Sequence, residues 1–186
     1  QLLTAVMVVP HRHPVLAAKM LSTIDVLSEG RLLLGVGAGW LKEEFEILGA
    51  PFAGRGRATD EYIEAFKELW SKERPAYSGE FVKFDNVLFQ PKPVQRDKVP
   101  IWVGGRTFLS LKRALTLGDG WVPFALDAAA LKALIDRAKK SAIWQERSQP
   151  FDMVLAPEAM FDPLGDPAGC RKIFEQYAAI GATSIS

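Results

Sequence analysis

The 186-residue chain is 48% hydrophobic and 24% charged, enough apolar material for one substantial core. Its 23 basic and 22 acidic side chains are interspersed and leave a formal charge of +1, which excludes the footprint of a nucleic-acid or anionic-membrane binder and points to small-molecule partners. No apolar run approaches the ~20 residues of a membrane span and no secretion signal opens the chain, so the cytoplasm is the default location; a lone Cys170 excludes an internal disulfide, and no metal site is expected.

Leu2 to Val9 is apolar and β-branched enough for a buried strand, which Pro10-His11-Arg12-His13-Pro14 ends because proline cannot continue a ladder. From Pro14, the apolar residues Val15, Leu16, Met20, Leu21, Ile24 and Leu27 recur at helical spacing until Ser28-Glu29-Gly30. Leu32 to Val36 is a continuous apolar run, the pattern of a strand buried on both faces, so the first units read as strand, helix and parallel strand. Gly35, Gly37 and Gly39 then alternate up to Trp40. A dinucleotide fingerprint needs its third glycine three positions after the second, so a nicotinamide-binding Rossmann enzyme is disfavoured. The glycines either admit a ligand at the strand end or permit a tight turn and close packing under Trp40. His11 and His13 are the only histidines and follow the first strand, where α/β folds place chemistry. They are candidate catalytic residues, although His13 can equally serve only to orient the loop.

A short helix carrying Phe45, Ile47 and Leu48 is expected after Trp40, and a second one from about Thr59 to Lys72, with Tyr62, Ile63, Phe66, Leu69 and Trp70 on its apolar face. Between them, Arg55 and Arg57 either meet an anionic group or form solvated ion pairs. Residues 77–93 break the rhythm with short alternating runs around Asp85-Asn86 and read as a β-excursion, its aromatics lining a substrate mouth or packing on the core. Pro100 to Thr107 repeats the strand-then-glycine pattern. Gly104 and Gly105 free the backbone, Arg106 offers a fork of donors, and Thr107 and Ser110 add hydroxyls beside a helix start, the combination that holds a phosphate. A strand near Gly120 to Pro123, a helix from Ala128 to about Trp144 capped by Asp127, a strand from Phe151 to Ala156 and a helix from Pro167 to Gly181 follow. Five strands and the start of a sixth are expected, and both ends read as cuts within a longer protein.

GRLLLGVGAGW, PFAGRGRATDEYIEAFKELW, FQPKPVQRDKVPIWVGG and GDGWVP, in that order, resemble the luciferase-like monooxygenase family, and most closely its flavin- or deazaflavin-dependent oxidoreductases. The resemblance runs over nearly the whole chain. It implies an α/β fold, a (β/α)8 TIM barrel incomplete at both ends here, with residues 1–186 as one domain carrying the β-excursion. It places Ala5 and Val6 at a backbone bulge beneath the flavin ring, commonly with a non-prolyl cis peptide, Gly39 and Trp40 beside the ring or its side chain, and Gly104, Gly105, Arg106 and Thr107 at the phosphate turn. The implied cofactor is FMN or a 5-deazaflavin coenzyme of the F420 type, with NAD(P)H as a co-substrate. The implied chemistry is hydride transfer, or attack of a flavin peroxide on a small substrate, in an enzyme that is a homo-oligomer at full length. The family's first two strands, which often carry acid/base residues, are expected to precede Gln1. The alternative from another class is a barrel-derived flavin-binding protein without turnover.

Overall fold

The alternation of apolar runs and amphipathic stretches becomes alternating strands and helices in the computed structural model, which describes residues 1–156 and 162–185. The chain divides into two compact units, Gln1–Ile101 and Trp102–Ser186.

In the first unit, β3 (Leu32–Gly37) is buried at all six positions, as its unbroken apolar run requires. The expected first strand, 2–9, is not continuous. It forms two short pieces, β1 (Leu2–Leu3) and β2 (Met7–Val8), both parallel to β3. Leu3 pairs with Leu33 and Met7 with Val36, so three residues of the first strand stand against two of β3, and Thr4, Ala5 and Val6 bow out of the ladder as a bulge. Thr4 restores one link by donating its hydroxyl to the Gly35 carbonyl at 2.8 Å. A 3₁₀ turn at Val9–His11 leads to α1 (Pro14–Leu27), which starts on proline as expected.

The inward face of α1 is small, with Ala17, Ala18 and Ser22, and this lets α3 (Arg55–Ser71) approach until the Trp70 indole donates to the Ala18 carbonyl at 3.2 Å. Leu16, Met20, Ile24 and Leu27 face outward instead. Asp25 is the exception among the buried side chains of α1: its carboxylate accepts from the Gln95 backbone N–H at 3.1 Å and from the Gln95 amide at 2.8 Å. The second hydrogen of that amide reaches the Leu32 carbonyl, so the loop before the 3₁₀ turn Arg96–Lys98 is tied to both α1 and β3. Leu34 N–H donates to the Pro100 carbonyl at 2.8 Å, which lays that end of the unit beside β3.

One boundary and one apolar face differ from the sequence reading. Helix α3 starts at Arg55 rather than near Thr59, because Gly54 takes the left-handed conformation that opens the helix and Thr59 turns its hydroxyl back to the Arg55 carbonyl. The short helix α2 (Lys42–Leu48) buries only Phe45, whereas Ile47 and Leu48 are exposed. The β-excursion contains one antiparallel pair, β4 (Tyr77–Ser78) with β5 (Lys83–Phe84), and residues 85–93 form no strand. It is docked on α3: the Glu61 carboxylate accepts from the backbone N–H groups of Glu80 at 2.9 Å and Phe81 at 2.8 Å, and Val82 and Phe89 are buried. Phe89 thus packs on the core, whereas Tyr77 and Phe84 line an open cavity of about 450 Å³.

In the second unit β6 (Ile101–Gly104, whose first residue closes the first unit), β7 (Gly120–Val122), β8 (Asp152–Leu155) and β9 (Ser184–Ile185) pair in parallel, each with the next. Trp102, Gly120 and Asp152 stand in register, and the absence of a side chain at Gly120 lets the Trp102 indole donate across it to the Asp152 carboxylate at 3.1 Å. Parallel pairing is obtained through the crossover helices α4 (Phe108–Leu117), α5 (Ala128–Lys139) and α7 (Pro167–Ile180). The helix expected to run to Trp144 instead stops at Lys139, and Ser141 caps a separate turn, α6 (Ala142–Gln145). Asp127 and Asp166 cap α5 and α7, and Gly181 ends α7 in the left-handed region. Cys170 is buried and free. No helix of the described residues is long and apolar enough to cross a membrane.

Candidate functional site

Of the sequence-selected residues of the first unit, the glycine series, Ala5, Val6 and His11 gather at the bulge. Gly35, Gly37 and Gly39 each meet one residue of the first strand two positions apart. A Cβ on Gly35 would stand 1.9 Å from the Thr4 carbonyl oxygen, one on Gly37 3.0 Å from Val6 Cγ2, and one on Gly39 2.8 Å from Val8 Cγ1. The alternation that fails as a dinucleotide fingerprint therefore has a packing cause: β3 gives up side chains on one face so that the bulge can lie against it. Gly39 is further bound to glycine by φ +78°, with the Phe45 ring edge 2.7 Å from where its Cβ would be. The Ala5–Val6 peptide is cis, at the bond where the resemblance implied one. Trp40, next in the chain, is 75% exposed at the C-terminal end of β3.

A cavity of about 520 Å³ opens beside the bulge. Val6, Met20, Leu21 and Ile24 supply its apolar wall, and Thr4, His11, Arg12 and Glu44 supply polar groups. That volume suits a small organic molecule. His11 packs edge-on to Phe45 with ring centroids 4.4 Å apart, and its Nε2 is buried with no hydrogen-bond partner. His13 is exposed at the N-cap of α1, where its carbonyl accepts from Ala17 N–H and its side chain caps nothing. The geometry thus separates the two histidines, His11 lining the cavity and His13 beginning a helix.

The arginines also divide. Arg57 pairs with Glu80 on the surface, whereas Arg55 turns its Nε to the Gly39 carbonyl at 3.0 Å and lies 4.0 Å over the Phe52 ring. From the sequence both arginines read only as ligand groups or solvated ions. An arginine sixteen residues beyond a left-handed glycine carries no periodic signal that it closes the turn.

In the second unit the Gly104–Thr107 turn joins β6 to the N-terminus of α4. Thr107 and Ser110 form a reciprocal capping box, each hydroxyl accepting the other's backbone N–H at 3.3 Å, and the Trp121 indole donates to the Ser110 hydroxyl at 3.2 Å. The two hydroxyls expected to serve an anion therefore first shape the turn. Gly105 has φ +133°, and a Cβ there would stand 2.7 Å from Ser110 Cβ, so the turn itself demands glycine. Its N–H points to the Val122 carbonyl at 3.4 Å. Helix geometry leaves the first-turn N–H groups of Phe108 and Leu109 without intrahelical partners. Beside them the exposed Arg106 guanidinium stands 5.9 Å from the centroid of Phe124, itself half exposed just past β7. Among the described residues no group of three or more His, Cys, Asp or Glu side chains is placed to hold a metal ion.

Residues 1–163 match the model of the family described as luciferase-like monooxygenase. The chain belongs to that family. Over 134 residues it is 34% identical to an FMNH(2)-dependent dimethylsulfone monooxygenase of Pseudomonas putida, a match covering 69% of this chain and 37% of that protein. Two solved structures are similar in fold. The coenzyme F420-dependent tetrahydromethanopterin reductase of Methanopyrus kandleri aligns over 84% of this chain and 49% of its own, with TM-score 0.72 and 21% identity. The oxygenating constituent of 3,6-diketocamphane monooxygenase from Pseudomonas putida, in complex with FMN, aligns over 96% of this chain and 57% of its own, with TM-score 0.71 and 18% identity. At those identities the likeness is one of fold. This luciferase-like chain spans about half or less of the length of the curated relatives it matches. The family and the fold class expected from the sequence, an α/β barrel of the luciferase-like type, are borne out.

Proposed function

We propose that the full-length protein is a flavin- or deazaflavin-dependent oxidoreductase acting on a small organic substrate, with its cofactor phosphate at the Gly104–Thr107 turn. The observation that carries the reading is the donor set there in a luciferase-like chain: the Arg106 guanidinium beside the first-turn N–H groups of α4. Such N–H groups attract an anion through both their hydrogen bonds and the helix dipole. The residues present therefore fit a phosphate. Thr107 accepts from Ser110 N–H and keeps its hydroxyl hydrogen for a phosphate oxygen, while Gly105 and Ser110 fix the turn from behind. The bulge at Ala5 and Val6 with Gly39 and Trp40 is the face this reading gives to the ring, and the exposed side chains of Val6 and Trp40 supply its apolar surface.

When bound, a flavin or deazaflavin supplies the redox chemistry, by hydride transfer or oxygen activation, and the chain supplies binding, orientation and shielding from water. FMN is named for the Pseudomonas proteins and F420 for the Methanopyrus reductase, and both belong to the reading. NAD(P)H as co-substrate and a homo-oligomeric, cytoplasmic enzyme are further parts of it. The cavity lined by His11 is the candidate substrate end. The test supplies full-length protein with reduced FMN under air, or with F420, and a panel of small sulfones, ketones and alcohols. Substrate-dependent oxygen uptake or F420 reduction is expected. Tight cofactor binding with no turnover on any member would favour the non-catalytic alternative.

A further inference from the structure

We infer that Arg55 is a positioning residue that sets the Gly39–Trp40 turn for the cofactor ring, an inference that rests on the reading that this turn meets the cofactor. Gly39 is left-handed, and a carbonyl presented by such a residue at a strand end has no ladder partner of its own. Arg55 provides one, Nε to O at 3.0 Å, and its Nη1 reaches the Phe52 carbonyl at 3.4 Å. One planar fork thus links the residue before Trp40 to the loop before α3. The guanidinium is itself held, 4.0 Å over the Phe52 ring, and Phe52 packs edge-on to Phe45 at 5.3 Å. Phe45 in turn fills the space a Gly39 side chain would need and touches His11. The stack Arg55, Phe52, Phe45 therefore grips Gly39 from its carbonyl and from its α-carbon, and Trp40, which is mostly exposed, takes its direction from that grip.

The role requires both the fork and the flat face of a guanidinium. A lysine ammonium is a point charge without the plane that stacks on Phe52, so Arg55→Lys should behave like Arg55→Ala rather than like the native residue. Arg55 lies away from the cavity lining and needs no contact with the cofactor, so its effect is carried through the turn.

The experiment uses the full-length protein with FMN and F420 as probes. Its first arm titrates the native protein and Trp40→Ala. If the native protein binds neither probe, or Trp40→Ala binds the preferred probe as tightly as the native protein does, the reading of the turn fails and the inference falls with it. The second arm titrates Arg55→Ala and Arg55→Lys with and without millimolar guanidinium ion, while thermal melting is followed in parallel. Expected is about a tenfold weaker affinity in both variants, ~1.4 kcal/mol, restored in Arg55→Ala by added guanidinium while the melting temperature stays put. Native affinity in Arg55→Ala would overturn the inference. So would a loss that follows the melting temperature and is not rescued, since that marks Arg55 as a stability residue only.

Discussion

Gly35 carries the tightest steric constraint beside the bulge. The Thr4 carbonyl oxygen would lie 1.9 Å from an added Cβ, and both atoms belong to backbone that cannot swing aside. Gly35→Ala should therefore cost about 3 kcal/mol or more, read as a lower denaturant midpoint, while the same change at Gly49, where a Cβ meets open space, should cost only the strain of its left-handed backbone. Equal effects at the two sites would contradict the packing account of the glycine series. Tyr77 gives a residue-scale test in pH. Burial first, and then its hydrogen bond to the Glu64 carboxylate, push its phenol well above the usual value of 10, and burial also raises Tyr62. A raised folded pKa contributes stability that is fully present below the unfolded value and is lost as pH rises through the folded one. Stability should thus begin to decline above about pH 10, and tyrosinate absorbance should develop later in the native protein than in denaturant. Glu64→Gln, which keeps an acceptor and removes the charge, should shift part of that absorbance to lower pH. An unchanged titration curve would show that the carboxylate does not hold the phenol.

At the scale of elements, the Asp25–Gln95 link is the clearest case of a buried polar group satisfied by a distant partner. The two residues are 70 apart in sequence, and the carboxylate has the Gln95 backbone and amide as donors. Gln95→Leu leaves one carboxylate oxygen and the Leu32 carbonyl without that amide, so a loss of roughly 2–3 kcal/mol is expected in chemical unfolding. A loss under 0.5 kcal/mol would mean that water replaces the link. Such a bond has no signature in the sequence, because nothing local marks Gln95 as the partner of a helix far upstream. The strand β3 was legible for the opposite reason: an unbroken Leu32–Leu34 run can satisfy its burial only between two covered faces. The starts of α1, α5 and α7 were legible from Pro14, Asp127 and Asp166, since capping chemistry is local. The break at Lys139–Ser141 and the early start of α3 at Arg55 were not, because each turns on a single residue whose propensity fits either side of the boundary. The candidate site was legible as positions rather than causes. Gly105 and Gly39 stood out in the sequence, but the need for glycine there comes from Ser110, Phe45 and Val8, which only folding brings near.

For the molecule as a whole, the account adds to a luciferase-like fold a proposed anion site at the Gly104–Thr107 turn of the second unit. Its central claim is that a flavin-type cofactor is held with its phosphate at Arg106 and the start of α4. The most direct measurement is an equilibrium titration of the full-length protein, native and Arg106→Ala, with FMN and with F420 at low and high salt. The account predicts that the native protein binds at least one of them, that Arg106→Ala weakens that binding by about ten- to a hundredfold through loss of a charge-assisted bond worth ~1.5–3 kcal/mol, and that the variant's affinity depends less on salt. Binding by Arg106→Ala at native strength and with native salt dependence would contradict it and leave Gly104 to Thr107 as a packed turn.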